Sequence, residues 1–176
     1  MSFGLGCPNF NFAVYIANTP AMLEYQSLMQ VSPLTCDEIT AIGQACGNGW
    51  RKVFNVYAKL LYALPEKHFS FAASAPTWQQ YRDNTLLQVG SQTALLFSPP
   101  YLNTNSKTLH IICGRTYAKQ LLKTGELTAQ LTWLDEEFAI DKHNKVIVCP
   151  YFDYRQLSNI KIKRLSEMLT ALQRSK

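Results

Sequence analysis

The segment Lys145–Asn159, KVIVCPYFDYRQLSN, is the clearest strand-and-loop unit in the chain. Val146–Val148 is a run of β-branched residues, which predicts a short strand buried on both faces. Cys149-Pro150 ends that strand, because proline has no N–H to donate to a neighbouring strand. Polar and aromatic side chains follow at once, and in open α/β sheets ligands bind beyond the carboxyl ends of strands. The segment therefore predicts a buried strand that leads into a binding loop.

The length and composition predict a single domain that spans residues 1–176. Lys and Arg number 17 against 12 Asp and Glu, which gives a net charge of +5. This charge suits an anionic partner, and solubility explains it equally well. No apolar run approaches the roughly 20 residues of a membrane span, and the N-terminus lacks the order of charged and apolar residues of a secretory signal. We therefore expect a cytoplasmic protein without membrane contact.

Strand and helix patterns alternate along the chain. Uninterrupted apolar runs predict four central strands at Phe12–Ala17, Thr93–Phe97, Thr108–Cys113 and Val146–Cys149. Three- and four-residue apolar spacing, together with caps and breaks, predicts the main helices at Trp50–Leu64, Trp78–Val89, Tyr117–Lys123 and Ser158–Gln173. Thr35-x-x-Glu38 is a capping box for a further short helix, and Leu127–Trp133 alternates like an edge strand. This order predicts an α/β fold, a three-layer α/β/α sandwich with a mainly parallel central sheet.

Four segments are expected to meet on the side of that sheet where the central strands have their carboxyl ends. Right-handed crossovers between parallel strands place all their carboxyl ends on the same side. We call this line of strand ends the rim; it comprises Asn18-Thr19-Pro20, Ser98-Pro99-Pro100, Cys113-Gly114-Arg115 and Cys149-Pro150-Tyr151. The rim is the predicted location of any binding site.

The order of these rim segments resembles that of the uracil-DNA glycosylase superfamily. Ala17-Asn18-Thr19-Pro20 is similar to the family's turn after its first strand, and Ser98 stands where a uracil-reading asparagine ends a later strand. IICGRTYAKQLL is similar to the family's strand, small turn and helix, and Cys149-Pro150-Tyr151 can be laid against its final His-Pro-Ser. The resemblance covers most of the chain and implies a uracil-DNA glycosylase-like fold.

The same resemblance implies altered chemistry. The family's water-activating acid falls near Thr19, its asparagine at Ser98, and its uracil-steadying histidine at Cys149. None of these residues can play the matching role, so we do not expect classical uracil excision. We expect the chain to belong to a small bacterial family without an established function.

Individual rim residues suggest two kinds of chemistry. Gly114-Arg115-Thr116 opens a helix after a buried strand, and such a turn can hold a phosphate or carboxylate. Asp153 and Arg155 either pair and shape the loop, or act as acceptor and stacking groups for a flat ligand beside Tyr151 and Tyr154. Cys149 is interpreted as a buried structural thiol rather than a nucleophile, because no histidine is expected near it.

No cofactor or metal site is predicted. The five cysteines contain no C-x-x-C pair, and no His, Cys or Asp group has ligand spacing. Neither a phosphate-loop nor a dinucleotide fingerprint is present. The last helix carries a cluster of cations that is either a solvated face or a nucleic-acid footprint: Lys161, Lys163, Arg164, Arg174 and Lys176.

These observations leave three hypotheses for function. The first is a protein that binds a nucleobase, nucleotide or nucleic-acid segment through the rim residues Asn18, Ser98, Arg115, Tyr151, Asp153 and Arg155. The second is an enzyme of altered glycosylase or hydrolase chemistry, in which Asp153 is the candidate catalytic residue. The third is a non-catalytic protein–protein interaction module. Fold does not select among them, and the sequence does not determine a protein partner or an oligomeric state.

Overall fold

The computed structural model of the chain describes residues 1–174, so Lys176 of the predicted basic face lies outside the described part. This part is an α/β fold with eight strands and six helices. The strands are β1 (Gly4–Gly6), β2 (Phe12–Tyr15), β3 (Val31–Ser32), β4 (Thr93–Leu96), β5 (Leu109–Cys113), β6 (Thr132–Trp133), β7 (Ala139–Asp141) and β8 (Val146–Cys149). The helices are α1 (Leu23–Gln26), α2 (Glu38–Cys46), α3 (Asn48–Ala63), α4 (Trp78–Asn84), α5 (Arg115–Lys123) and α6 (Asn159–Arg174).

All eight strands belong to one mixed sheet, in the order β3-β1-β4-β2-β5-β8-β7-β6. The predicted central strands β4, β2, β5 and β8 are parallel neighbours. β1 is antiparallel to β4 on one side, and β7 is antiparallel to β8 and β6 on the other. The expectation of a mainly parallel sheet was therefore wrong: it considered the central strands and overlooked the antiparallel additions at both sides.

β1 shows why these additions escape a search for apolar patterns. Its sequence is Gly-Leu-Gly, and the glycines are required by close approach to β4. Gly4 has φ +153°, and a Cβ there would meet the Leu95 carbonyl oxygen. Gly6 has φ +128°, and its Cβ would meet the Thr93 carbonyl oxygen. This strand exists because its backbone fits against β4, not because its side chains alternate.

Side chains from both faces of the sheet are buried. Alternate residues of β2 point to opposite sides: Phe12 and Val14 belong to a large core with α3 and α6, whereas Ala13 belongs to a second core with Ala118 and Leu121 of α5. Helices thus cover both faces of the central strands.

A buried polar pair lies on the α5 side of the sheet. The Tyr15 hydroxyl and His110 Nδ1 are 2.6 Å apart, and the two rings stack with centroids 5.7 Å apart. Burial lowers the pKa of His110 to about 4, so the imidazole is neutral at pH 7.

The observed helix ends agree only in part with the caps and breaks that the sequence predicts. A threonine directly before a helical pattern predicts an N-cap, and Thr77 Oγ1 accepts the Gln80 N–H at 3.1 Å, which confirms this cap of α4. The predicted capping box forms only in part: Glu38 Oε1 accepts the Thr35 N–H at 3.0 Å, but the Glu38 N–H donates to the Thr35 carbonyl oxygen at 3.2 Å rather than to its hydroxyl, and α2 begins after Asp37. α4 ends at Asn84 rather than near Val89, because the backbone leaves the helical conformation at Thr85, which has φ −134°, and then turns through Leu87, which has φ +60°.

The apolar spacing of α6 predicts an inward stripe that consists of Ile160, Leu165, Met168, Leu169 and Leu172. Leu165, Leu169 and Leu172 are buried as expected. Ile160 was wrongly expected to face inward; it lies in the first turn and is 83% exposed, while Ile162 is buried in its place. Among the described residues, no helix is long and apolar enough to cross a membrane.

Candidate functional site

The carboxyl ends of the four central strands lie on the same side of the sheet. Because β4, β2, β5 and β8 are adjacent and parallel, the chain leaves each of them on the same side. The four predicted rim segments follow these strand ends. The rim is therefore a real feature of the molecule.

The thiols at the ends of β5 and β8 are structural. Cys113 and Cys149 occupy paired positions and are both buried. The Phe152 N–H donates to Cys113 Sγ at 3.2 Å, and Cys149 Sγ donates to the Pro150 carbonyl at 3.3 Å. Burial raises the pKa of Cys113 to about 12 and also raises that of Cys149. Neither is a thiolate at neutral pH, so neither is suited to nucleophilic attack.

A polar cleft opens on the rim beside β5 and β8. Its volume is about 430 Å³, within the range of small-molecule sites. It lies between the start of α5, the loop after β8 and the turn between β6 and β7. The residues that line this rim cleft are Arg115, Thr116, Glu136, Glu137, Pro150, Tyr151 and Gln156.

Tyr151 connects two predicted rim segments. Its side chain is half-buried in the cleft wall, and Asn18 Nδ2 donates to its hydroxyl at 3.3 Å. Burial raises the pKa of the Tyr151 hydroxyl, so the phenol is neutral at pH 7. The structure thus brings Asn18 and Tyr151 together, from the segments after β2 and β8.

Arg115 forms another wall of the cleft. Its Nη1 donates to the Glu136 carbonyl oxygen at 3.2 Å and lies 3.8 Å from Glu136 Oε2. Both side chains are largely exposed, so this ion pair contributes little to stability. A guanidinium has five N–H donors, which leaves Arg115 able to contact a ligand in the cleft.

Asp153 fixes the loop after β8. Its carboxylate accepts the Arg155 N–H at 2.9 Å and lies 3.4 Å from Lys52 Nζ of α3 and 3.6 Å from Arg155 Nε. The Arg155 backbone N–H, assisted by the two cations, lowers the pKa of Asp153. Asp153 and Arg155 do pair, as one of the two interpretations expected, and Asp153 does not line the cleft.

Tyr154 carries two cations on its ring. Lys52 Nζ lies 5.2 Å from the ring centroid and the Arg155 guanidinium lies 5.8 Å from it. The Tyr154 side chain is 56% exposed. Lys52, Asp153, Tyr154 and Arg155 therefore form one surface cluster next to the rim cleft.

Ser98 is not brought to the cleft. It is buried, and its Oγ accepts the Phe3 N–H at 3.0 Å and lies 3.5 Å from the Phe3 carbonyl oxygen. Its hydroxyl thus connects the backbone of the N-terminal segment, before β1, to the segment that follows β4. This position in the fold leaves it no contact with a ligand in the rim cleft.

Sequence reasoning missed the acidic part of the site. Glu136 and Glu137 reach the rim because β7 runs antiparallel to β8, which places Ala139 opposite Val148 and the preceding turn near the end of β8. The apolar run from Phe138 was the available signal for β7. A hairpin prediction there would have placed both acids at the rim.

The cationic face of α6 is partly neutralised by the same turn. Lys161 Nζ lies 2.8 Å from Glu137 Oε1, and Arg164 Nη1 lies 2.6 Å from Asp135 Oδ2. The face is thus less basic than its sequence indicates. Within residues 1–174, no group of three or more His, Cys, Asp or Glu is placed to hold a metal ion.

Comparison with known proteins assigns the chain to a family. No curated protein and no solved structure matches the chain. Residues 3–170 match the model of a family described as "Family of unknown function (DUF6942)". The match includes every strand of the sheet and all the residues that line the rim cleft, and the chain therefore belongs to the DUF6942 family.

Proposed function

We propose that the rim cleft binds a ligand that contains a nucleobase, either a free base or nucleotide or an exposed nucleotide of a nucleic-acid strand. The observation that supports this most is a cleft of about 430 Å³ at the carboxyl ends of β5 and β8, lined by both Arg115 and Tyr151. Ligands of open α/β proteins bind at such strand ends.

The lining suits a base and a phosphate at different places. The Tyr151 ring offers a surface for stacking, an interaction worth about 1–3 kcal/mol per base. The Gln156 amide can both donate and accept, as the edge of a base requires. Arg115 lies at the N-terminus of α5, and a guanidinium together with the free backbone N–H groups of a helix N-terminus suits a phosphate group. Glu136 and Glu137 accept hydrogen bonds from amino groups but repel further phosphates, which favours a single nucleotide over a duplex.

We extend the proposal to the fold. Helices on both faces of the central strands support a three-layer α/β/α sandwich that resembles the uracil-DNA glycosylase superfamily. Ser98 and Cys149, which take the places of the family's asparagine and histidine, are both buried. Together with Thr19 in the place of the acid, they argue for binding without classical uracil excision.

Two alternatives have narrower support. An enzyme of altered glycosylase or hydrolase chemistry would use Asp153, which is ionised at neutral pH but has a lowered pKa and is therefore a weak base. A protein–protein interaction module would use the exposed Tyr154 and Ile160, which are 56% and 83% exposed. Neither residue set lines the cleft.

The test is a thermal-shift screen of purified protein against nucleobases, nucleotides and short single-stranded DNA that contains uracil. A ligand at 100 times its Kd stabilises the folded state by about 2.7 kcal/mol, which raises Tm by several degrees. We expect Arg115→Gln and Tyr151→Leu to abolish the shift and Lys123→Gln, a charge change outside the cleft, to preserve it.

The outcomes separate the hypotheses. A shift with free nucleotides alone identifies a small-molecule site, whereas a salt-sensitive shift with the oligonucleotide alone identifies a strand-binding site. A flat result at millimolar ligand and low salt contradicts the proposal. Release of base from the oligonucleotide that Asp153→Asn abolishes, with stability unchanged, would instead support the enzyme.

A further inference from the structure

A second concave site lies between α3 and α6, beside the start of α4. Its volume is about 400 Å³, similar to that of the rim cleft, and the two share no lining residue. Lys59 of α3 and Lys163 of α6 contribute its cations, and Trp78 of α4 contributes an aromatic wall. We call this site the α3–α6 groove.

The groove has uncompensated positive charge. Among residues 1–174, neither Lys59 nor Lys163 forms a salt bridge, and the lining contains no Asp or Glu. By contrast, Lys161 on the same helix is paired with Glu137. An anion entering the groove therefore has two ammonium groups available and no carboxylate to displace.

Trp78 holds one of these cations in place. Lys59 Nζ lies 4.9 Å from the centroid of the Trp78 ring. A cation–π contact of this kind restricts the position of the ammonium, but it leaves the N–H donors without acceptors. Lys59 is thus localised at the groove and can still donate to an anion.

The rest of the lining is mainly apolar. Ala63 and Tyr62 lie at the end of α3, and the buried Ile162 lies opposite on α6. The Tyr62 hydroxyl donates to the Pro76 carbonyl at 2.8 Å, which fixes the ring at the groove wall. Apolar walls with two cations at the edge suit a molecule that has a flat apolar body and one anionic group.

We propose that the α3–α6 groove is a binding site for a small aromatic anion, a carboxylate, sulfonate or phosphate on a ring system. The anionic group lies between Lys59 and Lys163, and the ring lies against Tyr62, Ala63 and Ile162. This site is independent of the rim cleft and of the nucleobase ligand proposed there.

The first experiment compares two fluorescent probes that differ in charge. One is 8-anilinonaphthalene-1-sulfonate and the other is N-phenyl-1-naphthylamine, which has the same rings without the sulfonate. We expect Lys59→Gln/Lys163→Gln to weaken binding of the sulfonate by about tenfold or more and to leave binding of the neutral amine within about twofold, since a tenfold change corresponds to about 1.4 kcal/mol. Fluorescence titration gives both Kd values.

A matched variant controls for net charge. Lys123→Gln/Lys142→Gln removes two exposed lysines outside the groove that form no salt bridge among residues 1–174. We expect it to bind the sulfonate like the wild-type protein. Equal Kd values for the sulfonate in the wild type and the groove variant, or equal weakening in the groove and control variants, would overturn the proposal.

A second variant tests the groove by its shape. Ala63→Phe keeps both lysines and fills the space between α3 and α6, and the exposed position of Ala63 allows the larger ring without repacking the core. We expect this variant to lose binding of both probes while its near-UV circular dichroism stays native. Unchanged binding of the sulfonate would place the probe elsewhere and refute the assignment.

Discussion

At the scale of single residues, His110, which is buried beside Tyr15, is expected to make the stability of the protein depend on pH. Burial lowers the pKa of His110 from 6.5 to about 4. Between these values the unfolded chain binds a proton that the folded chain does not, so the free energy of unfolding falls as the pH falls through this window. The contribution is complete above pH 6.5. We expect a loss on the order of 3 kcal/mol between pH 6.5 and pH 4.

Urea unfolding at a series of pH values measures this loss. Tyr15→Phe/His110→Leu removes the titrating ring without leaving an unpaired hydroxyl, so its stability should change less over the same window. The lowered pKa of Asp135, about 2 because of its hydrogen bond to Arg164, affects stability only as the pH falls below its ordinary 3.8. Parallel pH profiles for wild type and variant would contradict the role assigned to His110.

The candidate site shows what residue patterns reveal and what they omit. Arg115 and Tyr151 were predictable, because each follows a strand that is buried on both faces. Ser98 follows the end of β4, but it is buried against the Phe3 backbone, and that contact depends on β1, which has no apolar pattern. Glu136 and Glu137 depend on the antiparallel pairing of β7 with β8. Contacts between segments distant in sequence were the part that local patterns could not supply.

At the scale of elements, the contact between β1 and β4 requires glycine in β1, because the two backbones approach closely. An added Cβ at Gly4 would lie 2.8 Å from Leu96 Cα, and Gly4 has φ +153°. We expect Gly4→Ala to lower the free energy of unfolding by about 1–3 kcal/mol, because both the backbone conformation and the close approach disfavour alanine. Chemical denaturation monitored by circular dichroism measures the change.

Gly49 provides the matched control. It lies in α3, and a Cβ there meets no atom within 4 Å. Gly49→Ala should therefore stabilise the protein by about 0.5–1 kcal/mol, because alanine loses less conformational entropy in a helix. A Gly4→Ala variant as stable as the wild type would show that β1 can move away from β4 without cost.

Elements with strong local patterns were the predictable ones. Val146–Cys149 forms a strand with the predicted bounds, and α6 begins and ends within one residue of its prediction. β3 and β6 have two residues each and β7 has three. Such short strands carry few side chains from which a period can be recognised. The alternating Leu127–Trp133 pattern and the apolar run from Phe138 were the available signals for β6 and β7. Neither pattern specifies an antiparallel neighbour, so the mixed character of the sheet was missed.

At the scale of the whole molecule, we expect stability to decrease from the centre of the sheet to its edges. β2 and β5 each have a parallel neighbour on both sides and are entirely buried, whereas β3 and β6 are two-residue edge strands. Hydrogen exchange should therefore be slowest at Val14 and Ile111 and fast at Val31 and Trp133. Uniform protection across all eight strands would contradict this order.

The distribution of the cysteines has a practical consequence for work on this molecule. Cys7, Cys113 and Cys149 are buried, Cys46 is half-buried, and Cys36 alone among the five is exposed. The folded protein thus offers a maleimide dye one exposed attachment point, two residues before the start of α2, without any engineered substitution. Global unfolding opens the remaining thiols, so the number of labels per chain, read by mass spectrometry, reports the fraction of molecules that have opened.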